Sequence, residues 1–138
     1  QKTDLLGLFA SLEKLKNATE LGIKSDDYSN LIRDEKPQIE RLAKSVDKEL
    51  GKMILKCLNI HIDTNEFWGV WNRGRGGDPL VGQDLFDLII GACNFREQYN
   101  FSIPYSGGIY RKSAVISYMW SEASSTYKTI KEKFDKLE

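Results

Sequence analysis

After Pro37 the chain places Ile39, Leu42, Val46, Leu50, Met53 and Cys57 at intervals of three and four residues, with charged side chains between them. At 3.6 residues per turn these positions share one face of a helix, so the stripe predicts a helix over about 37–57. An apolar face of that length has to be covered by other elements. The segment before it offers a second stripe. From Asp4 to about Leu21, Leu5, Leu8, Phe9, Leu12, Leu15 and Ala18 recur at the same spacing, and Gly22 stands where a helix stops. Ser25-Asp26-Asp27 then reads as an N-cap followed by acidic residues that the helix dipole favours. Pro37 itself is expected only in a first turn or at a kink.

The second half is less regular. Asp63-Thr64-Asn65-Glu66 reads either as a capping box opening a short helix through Phe67, Trp68, Val70 and Trp71, or as an irregularity within a longer one. Asn72 to Gly77 breaks the pattern, and Asp78-Pro79 restarts it with Pro suited to a first helical position. Leu80, Leu85, Phe86, Leu88, Ile89, Ala92, Cys93 and Phe95 then predict a helix that is apolar nearly all round and central to the fold. Tyr99 to Tyr110 contains Pro104 and Gly107-Gly108 and reads as an ordered, aromatic-rich loop. Its 99–103 alternation suits one short strand, with no second strand in view to pair with it. A last helix runs from about Lys112 to Leu137, with Ile116, Met119, Trp120, Ala123, Tyr127, Ile130, Phe134 and Leu137 as its stripe. The expected fold is all-α, a single domain over 1–138. It is a compact antiparallel bundle of four to five helices with the aromatic-rich loop before the last one.

Composition removes several functions. Twenty Lys and Arg balance twenty Asp and Glu, which argues against a protein built to grip nucleic acid or an anionic membrane. No apolar run approaches the roughly 18 residues of a membrane span. One His and two Cys leave no room for a His-rich metal site, and the sequence implies no cofactor. Cys57 and Cys93 lie in apolar-periodic stretches and read as two buried thiols or as one disulfide formed after export. His61 would have to serve any triad, yet no G-x-S-x-G elbow occurs. It is expected at a surface or helix end, with Asp63 as a helix cap. Gly74 to Pro79 precedes an expected helix start and reads as a plain connection or as an anion cradle flanked by Arg73 and Arg75. Asp84 with Asp87, and Asp26 with Asp27, alternate with basic residues and read as solvated faces.

The stretch 18–32, Ala-Thr-Glu-Leu-Gly-Ile-Lys-Ser-Asp-Asp-Tyr-Ser-Asn-Leu-Ile, resembles one in small exported helical proteins of bacteria, notably cyanobacteria. The resemblance extends to Trp68 and Trp71 near the middle, to Phe101-Ser102-Ile103-Pro104, and to Trp120 in the last helix. It implies an all-helical fold and export to the periplasm or beyond, and it supplies no catalytic residue. The insert at Gly74 to Gly77 departs from it. A first residue other than Met fits a removed signal peptide or a trimmed start, so a cytoplasmic location stays open.

Above this background stand the aromatic residues Phe67, Trp68, Trp71, Tyr99, Phe101, Tyr105, Tyr110, Tyr118 and Trp120. They read as bundle core, or as the lining of a pocket closed by the 99–110 loop and suited to a flat ligand or a sugar. The expected function is a non-enzymatic, exported binding or interaction domain. Its contacts are Trp68, Trp71, Tyr105 and Tyr110 with Arg73 and Arg75 beside them, and its partner is an unidentified protein or small molecule. The alternatives are a small hydrolase acting on a phosphorylated or glycan substrate through Asp63, Glu66 or His61, and an inhibitor or immunity-type protein acting through surface shape.

Overall fold

The computed structural model describes residues 2–74, 76–102 and 108–137. Its elements run α1 (Lys2–Leu21), α2 (Ser25–Lys44), α3 (Lys48–Gly74), β1 (Leu80–Gly82), α4 (Gln83–Gly91), β2 (Ile109–Arg111) and α5 (Lys112–Asp135). The four long helices form an up-down-up-down bundle. Contacts of Lys14 with Glu35, of Ser29 with Asn65, of Asn72 with Lys112 and of Lys2 with Asp135 set each neighbouring pair antiparallel. The fold is predominantly all-α, as the periodicities require. Among the described residues no helix is long and apolar enough to cross a membrane.

α1 buries Phe9, Leu12 and Leu15 and ends before Gly22, whose φ of +89° is the left-handed conformation that glycine adopts at no steric cost. The stripe expected to run unbroken through residue 57 is divided. α2 stops at Lys44, the chain reverses over Ser45 to Asp47, and α3 begins at Lys48. Asp47 accepts the Leu50 amide at 2.9 Å and so caps α3. Ile39, Leu42, Leu50, Ile54 and Cys57 are buried on both sides of this turn. The apolar register therefore continues although the chain doubles back, and periodicity cannot register the turn. Gly51 lets the hairpin close, because a Cβ there would overlap the Ala43 carbonyl oxygen. Pro37 lies in the interior of α2 and not in a first turn. It and Arg33 are exposed, so water can reach the carbonyl that loses its amide partner.

α3 runs without interruption through Asp63 to Glu66, and it, not the 80–95 segment, is the central helix; it packs most heavily against α5 and α2. α4 is short and peripheral. Only Phe86 and Ile89 are buried on it, and Leu88 is 72% exposed. No helix opens at Asp78-Pro79. Leu80 to Gly82 instead pairs antiparallel with Ile109 to Arg111, in the register Leu80 with Arg111, Val81 with Tyr110 and Gly82 with Ile109. The partnered strand is thus 109–111. Tyr99 to Ser102 form no strand, and Ile103 lies outside the described residues. Val81 and Tyr110 face inward and Leu80 and Ile109 outward.

Two apolar clusters result. One joins α1, α2, the first half of α3 and the end of α5; the other joins the end of α3, the ribbon, α4 and the start of α5. Asp78 closes the second. It accepts the Ser113 amide at 3.0 Å and the Ser113 hydroxyl at 2.7 Å, capping α5 from a distant part of the chain, with Arg111 3.8 Å away. Slight burial pushes its carboxyl up, but the Ser113 bonds and the cations Arg111 and Lys112 outweigh that and hold it below the usual range. A depressed acid stabilises the fold above its unfolded value near 3.9 and stops doing so as pH falls through the folded value. Asp78→Ala should therefore cost about 1 kcal/mol at pH 7 in urea unfolding. The difference from the native chain should vanish at strongly acidic pH.

Candidate functional site

The polar residues of α3 point in three directions, and their partners decide what each can do. His61 is neither at a surface nor at a helix end. It is 1% exposed in the middle of α3, with Nδ1 2.7 Å from the Tyr28 hydroxyl. Burial lowers its pKa to about 4, so the ring is neutral at pH 7. Burial likewise raises the Tyr28 phenol far above its ordinary value. The reason is packing. Tyr28 meets Trp68 and Trp120 with ring centroids 6.2 and 5.7 Å away, which closes the pair off from water.

Asp63, fully buried, is a cap, but for a different segment from the one expected. Its oxygens accept the Arg96 and Glu97 amides at 2.8 and 2.9 Å and the Tyr99 hydroxyl at 2.6 Å. One turn along, Glu66 accepts the Asn94 amide at 3.1 Å, and one turn back Asn59 donates to Glu97 at 3.0 Å. Spaced at four and three residues, Asn59, Asp63 and Glu66 form a polar stripe on α3 that holds down the irregular segment 92–99. Burial, then the bond to Asp63, raises the Tyr99 phenol. Asp63 itself is sealed, whereas Glu66 is part-exposed.

The aromatic residues expected to line a pocket are mostly core. Trp71 is fully buried, and its Nε1 has no hydrogen-bond partner among the described residues. Tyr110 is 4% exposed, stacked on Phe86 at 3.8 Å between centroids, with its hydroxyl donating to Gln83 at 2.9 Å. Both are withdrawn from contact because β2 turns Tyr110 inward and α3 aims Trp71 at α4 and α5. Trp68 is half-buried, edge-to-face with Trp120 at 5.9 Å. Arg75 and Tyr105 lie outside the described residues. The glycine insert ends α3, with Gly76 and Gly77 at φ +67° and +57°. With Asp78 engaged at α5 and a strand, not a helix, after it, the described residues of this stretch fit the plain connection among its two readings. Cys57 and Cys93 are free thiols, bonded to the Ala123 and Ile89 carbonyls. Burial pushes both up to about 12, which leaves them little thiolate.

Arg73 alone of the expected contacts is exposed on the described surface. It lines a hollow of about 280 Å³ with Glu66, Asn65 and Gly69 of α3 and Ser25 and Ser29 of α2. Ser29 donates to Asn65 at 2.8 Å between its two walls. A Cβ on Gly69 would come 3.2 Å from the Arg73 guanidinium, so the glycine lets that side chain lie along the helix. Asn65, Gly69 and Arg73 recur every four residues, and that polar stripe was legible in the sequence; the serines across from it were not. A larger groove of about 650 Å³ lies between α1 and α5, but Lys16 there is paired with Glu20 at 3.1 Å and Lys131 with Asp135 at 2.7 Å. Among the described residues no three His, Cys, Asp or Glu side chains gather as metal ligands would.

Asp63→Ala should strand two amides and a phenol in the interior and cost about 3 kcal/mol, with Asp63→Asn costing less because it keeps one acceptor. Hydrogen exchange at 94–99 should speed up in both variants before the bundle loosens. Comparison of the chain with protein-family models, with curated proteins and with solved structures finds no match.

Proposed function

We propose that this chain is a non-enzymatic, exported helical binding domain whose contact surface includes the hollow around Arg73. The observation that carries the reading is a division of labour on α3. His61, Asp63 and Trp71 are buried, while Arg73, Asn65 and the α2 serines converge on one open concavity. A guanidinium beside hydroxyl and amide groups suits a small polar ligand, or a partner side chain, bearing a carboxylate or similar anion. The resemblance of residues 18–32 to small exported proteins supports export, and the even charge balance favours a discrete ligand over nucleic acid. Arg73→Ala should reduce binding about tenfold or more for whatever co-purifies with the native protein, read by native mass spectrometry. Its thermal midpoint should stay put, since Arg73 is exposed; undiminished binding would move the site elsewhere.

One observation favours a second reading. Glu66 and Arg73, the acid–base and charge groups a small hydrolase would use, share this hollow. In that case Glu66→Gln abolishes turnover of a phosphorylated or glycan substrate while leaving its binding intact. A variant that turns substrate over normally excludes Glu66 as the acid or base; a native chain that turns over no such substrate excludes the enzyme.

A further inference from the structure

The Tyr28–His61 pair lies directly behind the hollow. On α2, Tyr28 sits between Ser25 and Ser29, which form one wall; on α3, His61 sits one turn before Asn65, which forms the other. The Ser29–Asn65 bond and the Tyr28–His61 bond are thus successive links between the same two helices, one at the rim and one in the core. We propose that the Tyr28–His61 pair is an acid-sensitive bolt whose protonation loosens the start of α2 from α3 and so remodels the hollow. This rests on the reading of the hollow as a binding surface.

The argument is geometric. A neutral imidazole carries one N–H, and either tautomer accommodates Tyr28. The phenol donates to Nδ1, or Nδ1–H donates to the phenol oxygen while the hydroxyl turns to the His61 carbonyl 3.3 Å away. Protonation adds a second N–H and a full positive charge. The titratable groups around the pair are Tyr28 from α2, Cys57 and Asp63 from α3 and Tyr99 from the 92–99 segment; α5 faces it with Trp120. The carboxylate of Asp63 is already taken by Arg96, Glu97 and Tyr99. No described hydrogen bond therefore brings an anion to the ring, and a charged His61 is met by aromatic faces and a phenol. The cheaper state is one that admits water.

The sign follows from linkage. A base held near 4 when enclosed and near 6.5 when solvated binds its proton first in the open form. The closed form is fully favoured above pH 6.5, and opening gains about a hundredfold as pH falls to about 4. The region to open is the first two turns of α2, where Lys24 supplies no side-chain cap.

Because His61 is the sole histidine, its imidazole carbon–proton resonance reports its protonation without assignment ambiguity. The test follows that signal and the backbone amides of the full chain by NMR from pH 7 to 3.5. The imidazole should titrate well below 6.5. The Ser25, Ser29, Asn65 and Gly69 amides should shift with it, while amides of α1 and the end of α5 hold until lower pH. An imidazole titrating near 6.5 overturns the proposal, as does a single-step loss of all native signals at the imidazole midpoint. In His61→Gln, which keeps a hydrogen-bonding side chain opposite Tyr28 and removes the titrating ring, the hollow amides should no longer shift between pH 6.5 and 4. If they still do, the pair is not the coupling. The readout needs no ligand, so its failure is separable from that of the binding reading, which the Arg73 variant decides.

Discussion

The contact between Trp68 of α3 and Trp120 of α5 is what makes one body of this chain. Each ring packs against both apolar clusters, and they meet edge-to-face, the arrangement in which a positive ring edge meets a negative face. Without a shared seam, the lower bundle and the ribbon-plus-α4 cap would each have a modest core. α1, α2, the first half of α3 and the end of α5 form one; nine buried residues among those described, Phe86 and Tyr110 included, form the other. The length of α3 follows from this. A 27-residue helix is long enough to pass through both clusters, and α5 runs antiparallel beside it for most of that distance.

The seam also explains the polar interior. Where α2, α3 and α5 meet, the space is filled by rings, and rings leave hydroxyl and imidazole groups to satisfy one another. Tyr28 and His61 do so at the cost of keeping His61 neutral. Asp63, two residues on, points to another side and is satisfied by backbone amides of a segment that has no secondary structure of its own. A buried carboxylate with three donors is a sound structural device and a poor general base, since its lone pairs are engaged and no substrate can reach it. That segment in turn supplies Phe95, Tyr99 and Phe101 to the upper cluster. A single charge on the central helix thus organises an irregular stretch whose backbone would otherwise lack partners.

Legibility in the sequence divides along the same line. Leu5 to Ala18, Ile39 to Cys57 and Ile116 to Leu137 were readable as buried stripes because helical periodicity is a local property, set by 3.6 residues per turn whatever the neighbours do. The Gly22 stop was readable for the same reason, being a steric property of one residue. Where periodicity misled, the cause was non-local. Residues 39–57 keep one apolar register across a reversal, and 80–95 are apolar because a ribbon and a short helix share them between two faces. Trp71 and Tyr110 carried the aromatic signature of a binding pocket, but that signature is the same for a core. Their neighbours decide between the two.

What periodicity could specify here was therefore the apolar faces of the helices and the all-α class. These depend on side-chain volume and backbone geometry within a turn or two. The tertiary structure decided the rest: that 80–82 pairs with 109–111, that Asp63 and Asp78 cap segments more than thirty residues away, and that His61 is sealed. It also decided that Arg73 faces the α2 serines. Each depends on which residues distant in the chain come within hydrogen-bond reach, and no spacing rule along one strand of sequence encodes that distance.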